Sequence, residues 1–340
     1  MPHSDLINYH TDRLLAKKNV VGVGYGQKWS DGRPIGGEAI LVFVTHKEPL
    51  FNLAKEDVIE SSLDGITTDV VGRTGIIYSN ITAQKFVKLG RHNHPLAPKR
   101  PKPPPPRRPK QPKQPKRPIR QNKIGSSLPP MRARPLIGGM SIGHPWVTAG
   151  TLGGIFKDAS GDIVLLSNNH VLAAENRGGT THGTVQPGII DGGIEPRDTV
   201  GRLKSFSVLT KSGYNYEDSA ISKPFPEIAL DYQVRTIGKP AGFALDYYVG
   251  MSVRKHGRTT GYTTGKIIAT NANLLVYYDM GPLMFSDCII TNNMASGGDS
   301  GSLLFDHDKN VVGLLFAGSN SVTIFNPIKY TIDRYGLQIL

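Results

Sequence analysis

Gly297-Gly298-Asp299-Ser300-Gly301-Ser302 lies between two apolar runs, Cys288-Ile289-Ile290 and Ser302-Leu303-Leu304-Phe305. Glycines around a serine let the chain turn tightly and bring the N–H groups of Gly298 and Ser300 to one point. Gly, Asp and Ser also make ordinary turns, so the two flanking strand-like runs are what give the motif weight. Outward from it, residues 131–340 break into short apolar runs separated by Gly, Asn and Asp. Examples are Ile163-Val164-Leu165-Leu166, Val200 to Leu203, Ile267-Ile268-Ala269, Leu274 to Tyr278 and Val311 to Phe316. Helical periodicity is scarce until Asn326-Pro327, which opens a helix through Ile328, Ile332 and Tyr335. Many short strands at this spacing predict an all-β barrel or sandwich. About 210 residues can bury a substantial core without disulfides.

Activating a serine requires a neighbouring histidine to take its proton, an acid to orient that histidine, and backbone donors for the oxyanion. Two further stretches offer the missing parts. Leu165-Leu166-Ser167-Asn168-Asn169-His170-Val171-Leu172-Ala173 ends a strand with a histidine, and Glu217-Asp218-Ser219-Ala220-Ile221 puts an acid at the head of an apolar step. Taken singly, His170 reads as structural and Asp218 as a solvated turn residue. Asp191, Asp198 and Asp231 lack the setting of Asp218, and His182 and His256 are weaker base candidates.

The order His170, Asp218, Ser300, with intervals of 48 and 82 residues, resembles that of the trypsin/chymotrypsin superfamily in its bacterial, disulfide-free form. Ser167-Asn168-Asn169-His170 stands where the family usually has Thr-Ala-Ala-His, Gly-Asp-Ser-Gly matches directly, and Val312 to Gly318 is similar to the strand that flanks substrate. The stretch Gly22-Val23-Gly24-Tyr25-Gly26 ahead of such a domain is also similar to bacterial relatives of the plant NARROW LEAF proteases. The resemblance implies an all-β double barrel with a C-terminal helix, acting on protein or peptide substrate without a cofactor. It makes His170 the general base, Asp218 its orienting acid and Ser300 the acyl-forming nucleophile, with Gly298 and Ser300 as the oxyanion hole. It puts Met294, six residues before the serine, at the base of the primary pocket, and Phe316, Ala317 and Gly318 along its edge. With Met294 in place of an acid, apolar or small side chains are expected before the cut. Arg134-Pro135-Leu136-Ile137-Gly138-Gly139 has a distant likeness to the new N-terminus of processed animal relatives, but Pro135 resists such a cut. It reads as a strand, which leaves Asp299 without an identified partner.

The formal charge is +13, yet eleven basic residues and no acid lie between Lys99 and Lys123, so the rest of the chain is close to balanced at +2. Residues 91–130 are rich in Pro, Lys, Arg and Gln. Proline lacks the backbone donor and fixes φ, which predicts a disordered polyproline-II linker. Such a strip suits an anionic surface or a Pro-reading partner. Residues 1–90 read as a small α+β regulatory or targeting domain, with a helix through Leu6, Leu14 and Leu15 and strands at Val20–Gly24, Glu38–Thr45 and Thr68–Val71. The single cysteine, Cys288, excludes an intrachain disulfide and favours a reducing compartment. The first twenty residues lack a signal-peptide core, and the longest apolar run, Ala39 to Val44, cannot span a bilayer. The expectation is a cytoplasmic serine endopeptidase of undetermined oligomeric state. The alternatives are a silent binding module on the same fold, or an anionic-surface or nucleic-acid binder.

Overall fold

The computed structural model describes residues 3–30, 33–72, 74–79 and 132–340; the expected linker, residues 91–130, lies outside them. Two β-barrel units build the C-terminal part. In the second, the sheet runs through Gly281–Asn292, Val322–Pro327, Asn310–Gly318, Leu303–Phe305, Ser252–Gly257 and Gly261–Tyr278. It closes because Gly261–Tyr278 also pairs back along Gly281–Asn292, from Ile267↔Thr291 to Tyr278↔Gly281. The first unit holds a five-stranded sheet in the order Gly183–Val185, Thr199–Phe206, Ala220–Pro224, Ile163–Ser167 and Gly154–Lys157. Leu136–Gly138, paired in parallel with Leu230–Val234, packs against it and fills the expected role of a strand leading into the barrel. The C-terminal helix Ile328–Tyr335 ends at Gly336, whose φ of 62° suits the left-handed cap that glycine adopts without strain. Its Ile328 and Tyr335 join Phe156, Leu166, Ile221, Leu303 and Phe305 in one apolar cluster drawing on both units.

The N-terminal region has the expected helix and strands, α1 (His3–Leu15), β1 (Val20–Ser30), β2 (Arg33–Val44), β3 (Ser62–Leu63) and β4 (Ile66–Val71). It is not a separate unit: β1 hydrogen-bonds to the long strand Gly261–Tyr278, from Gly22↔Leu274 to Gly26↔Ala269, in one continuous sheet. The glycines of Gly22-Val23-Gly24-Tyr25-Gly26 permit this close approach. A Cβ on Gly22 would stand 2.1 Å from Leu274 Cδ2, and one on Gly26 2.6 Å from the Ile268 carbonyl. Helix α1 covers one face of β1 and β2 with Leu6, Ile7 and Leu14 against Val23, Ile40 and Val42. The other face sends Ala39, Leu41 and Phe43 into the core of the long hairpin, beside Ala272, Leu274, Phe285 and Phe316. The strand Gly261–Tyr278 records this cover: burial alternates over its first six residues and becomes nearly continuous beyond Ile267, as expected once both faces are covered.

Candidate active site

His170 lies in the short helix Asn169–Leu172 directly after the strand Ile163–Ser167, and Asp218 just ahead of the paired strand Ala220–Pro224. Registering Ala220 opposite Ser167 sets the two side by side. Asp218 is fully buried, and its position is fixed from several directions. Its N–H donates to Asn326 Oδ1 at 2.9 Å, and its carbonyl accepts from Asn168 Nδ2 at 2.6 Å. Its Oδ1 accepts the His170 backbone N–H at 3.2 Å and its Oδ2 the His170 Nδ1–H at 2.5 Å. Holding Nδ1 protonated in this way leaves Nε2 as the basic nitrogen. A third donor, the Tyr278 hydroxyl, reaches the same Oδ2 at 2.7 Å.

Ser300 is nearly buried and lines a small cleft of about 150 Å³ together with His170, Gly298, Ser79 and Trp146. The turn that carries it is held by its carbonyls. The Gly297 carbonyl accepts from Thr259 Oγ1 at 2.7 Å, and the Asp299 carbonyl from the Ser302 N–H at 3.0 Å and from its hydroxyl at 2.5 Å. In a trans peptide C=O and N–H point in opposite directions. The N–H groups of Gly298 and Ser300 therefore face away from these anchors, and among the described residues neither has a hydrogen-bond partner. Gly298 and Gly301 have φ of 95° and 94°, in the region that favours glycine. A Cβ at Gly301 would also lie 2.2 Å from the Thr151 carbonyl.

Asp299 has a partner after all, and it is Lys255. Both are fully buried, with Nζ 3.2 Å from Oδ2. The same carboxylate accepts the N–H groups of Thr259 (2.8 Å), Thr260 (3.1 Å) and Ser296 (3.0 Å) and the Thr260 hydroxyl (2.6 Å). Burial draws the Lys255 ammonium below its ordinary range, against the pull of Asp299. Period-two alternation along Ser252–Gly257 puts Val253, Lys255 and Gly257 on the inward face. A lysine on the buried face of a strand was the sequence signal that could have revealed it. Gly257 makes room for the pair, since a Cβ there would lie 2.3 Å from Asp299 Oδ1.

Ser300 Oγ donates to the carbonyl of Ser79 at 3.2 Å. The segment before it is extended: Tyr78 exchanges both backbone hydrogen bonds with Gly318 (3.1 and 3.0 Å), and Ser79 N–H donates to the Tyr277 carbonyl at 3.1 Å. Residues 77–79 thus lie as an added strand between Gly318 and Tyr277, with a carbonyl at the serine hydroxyl. Ser79 carries no motif, so only the tertiary structure brings it here.

Of the residues expected to bind substrate, Gly318 carries this strand. Met294 is instead packed in an apolar cluster with Val253, Ile267, Leu304 and Phe325, and Phe316 and Ala317 lie in the core of the long hairpin. None of the three lines the cleft at Ser300. Phe316 and Ala317 sit on a covered strand and Met294 lies just past the end of Gly281–Asn292, and all three are buried in the barrel interior, which residue spacing alone does not distinguish from a pocket wall. The competing residues are engaged elsewhere: Asp191 with Arg258, Asp198 with Arg197, His256 with Thr236, and His182 with His144.

The fold and the family match make the chain a member of the trypsin-like serine protease superfamily. The chain belongs to peptidase family S64, whose model matches residues 149–334. Streptogrisin-A of Streptomyces griseus is 32% identical over 98 residues, covering 27% of this chain; the chain spans 32% of the length of that curated relative. Among solved structures, the chymotrypsin of Cellulomonas bogoriensis is 22% identical with a TM-score of 0.43, covering 60% of this chain and 97% of its own. Protease A of Thermobifida fusca is 20% identical with a TM-score of 0.45 and the same coverage, 60% and 97%.

Proposed function

We propose that the protein is a serine endopeptidase in which Ser300 attacks the scissile carbonyl, His170 Nε2 takes its proton and returns it to the leaving amine, and Asp218 holds the imidazole. The N–H groups of Gly298 and Ser300 receive the oxyanion, where loss of one donor typically costs about 2.7–4 kcal/mol of barrier. The observation that carries this reading is the extended stretch 77–79. The cleft holds peptide backbone by strand addition at Gly318 and presents its carbonyl to Ser300 Oγ at 3.2 Å. An apolar or small side chain before the cut is part of this proposal, on the sequence reading that position 294 holds Met in place of an acid. The buried lone thiol of Cys288 suits a reducing, cytoplasmic setting.

The same contact gives residues 1–90 a regulatory role. While Ser79 accepts from Ser300, the nucleophile is engaged by its own chain, and turnover requires this strand to leave. Residues 91–130 tether the two parts and offer their positive charge to an anionic surface or a Pro-reading partner.

A fluorophosphonate probe applied to the full chain tests the reading. Wild type should be labelled and Ser300→Ala should not; no labelling of either leaves a silent binding module on a protease fold. On a peptide panel the enzyme should cut after apolar or small residues, and dominant cleavage after Arg or Lys would overturn the assigned preference.

A further inference from the structure

The Tyr278 hydroxyl was not called for by any motif, yet it enters the most buried part of the site. It sits at the last residue of the long strand Gly261–Tyr278 and donates to Asp218 Oδ2, the same oxygen that holds the His170 Nδ1–H. Its ring is braced: Phe285 stacks on it at 5.8 Å between centroids and 14° between planes, and the His170 ring meets it edge-on at 5.9 Å. The backbone is braced as well, because the preceding residue, Tyr277, exchanges hydrogen bonds with Ile77 and Ser79.

We propose that Tyr278 is a positioning residue for the acyl-transfer chemistry: by donating to Asp218 Oδ2 it selects the carboxylate orientation that holds His170 and withdraws part of the carboxylate's charge from the imidazole. This rests on the Ser300–His170–Asp218 reading given above.

A buried carboxylate satisfied at only one edge can rotate and present either oxygen to the imidazole. Two donors on Oδ2 and the His170 N–H on Oδ1 leave one orientation. A donor on the carboxylate also spreads its charge, so the imidazolium formed during reaction is held less tightly and returns its proton more readily. Tyr278 stays a donor at every working pH, because burial first, and then the Asp218 charge, push its phenol well above the ordinary range. The other ionisable groups facing it are Glu175 and Cys288. Glu175 is tied to the N–H groups of Asp279 and Met280 at 3.0 and 2.8 Å, and burial keeps the Cys288 thiol neutral.

The test compares wild type and Tyr278→Phe, in which only the oxygen is removed, by fluorophosphonate labelling of the full chain across pH. The maximal labelling rate should fall about tenfold with the half-saturating probe concentration within twofold, and the acid limb of the rate should move to higher pH by roughly half to one unit. A labelling rate and acid limb equal to wild type, or a loss confined to thermal stability, would overturn the proposal. Site-specific 3-fluorotyrosine at 278, a stronger donor of the same size, should move the acid limb to lower pH; an unmoved limb refutes the role without relying on the phenylalanine variant folding. A third measurement needs no activity. The downfield proton resonance of His170 Nδ1–H should move further downfield in Tyr278→Phe, and an unchanged resonance counts against the proposal. Wild type that is not labelled would refute the peptidase reading, while the resonance still reports on the Tyr278–Asp218 link.

Discussion

Replacing Lys255 with methionine keeps the length of the side chain and removes the cation paired with Asp299. Both partners are fully buried, so the change leaves a carboxylate with neutral donors only. Breaking a buried pair from one side typically costs about 3–5 kcal/mol. For a unit of this size each kcal/mol lowers Tm by roughly 2–4 °C, giving a drop of about 6–20 °C. The Asp299 carboxylate also holds the Ser296 N–H at 3.0 Å, and the turn from Ser296 to Ser300 carries Gly298. Fluorophosphonate labelling of Ser300 should therefore slow along with the loss of stability. The double variant Lys255→Met, Asp299→Asn removes both charges and should recover more than half of the Tm lost in Lys255→Met. High salt should change the wild-type Tm little through this pair, because a buried pair is weakly screened. A Lys255→Met protein that melts within 1 °C of wild type and labels at the wild-type rate would refute the view that Lys255 holds Asp299.

Ser79→Pro deletes the N–H that donates to Tyr277, worth about 1 kcal/mol, and should speed labelling of Ser300 by roughly fivefold; an unchanged rate would mean that residues 77–79 do not restrain the serine. Gly22→Leu places a side chain where Leu274 Cδ2 already stands and should loosen β1 from the long hairpin, read as faster proteolysis within residues 3–72 than in wild type. Burial holds His144 and His256 at a pKa of about 4, below the ordinary 6.5, so the folded state binds fewer protons than the unfolded chain between those values. Their contribution is complete above pH 6.5 and is lost as pH falls towards 4. The double variant His144→Gln, His256→Gln should lose less stability over that interval in urea titrations at successive pH values.

Local chemistry is what the sequence carried. Glycines around Ser300, a histidine at the end of a strand and an acid at the head of another are legible because a tight turn or a strand end imposes residue types on its own neighbours. The strands of the two barrel units and the C-terminal helix were legible for the same reason, through short apolar runs broken by Gly, Asn and Asp and through Asn326-Pro327 at the helix start. The partners that tune these groups belong to pairings between distant strands, which local pattern does not encode. Lys255 meets Asp299 across 44 residues and Tyr278 meets Asp218 across 60. Ser79 reaches Ser300 across 221. Residues 1–90 looked self-contained because their helix and strands are complete in themselves; the vacant edge of β1 and the glycine face of Gly22 to Gly26 became meaningful only beside the long hairpin. Met294 and Phe316 pack in apolar clusters of the barrel, and the sequence could not tell this from a pocket wall because inward-facing apolar residues look alike whether they face a cavity or fill the barrel. The residues proposed to react were thus legible in the sequence, whereas what holds, tempers and covers them was decided by tertiary structure, where burial and register bring single hydrogen-bonding groups together.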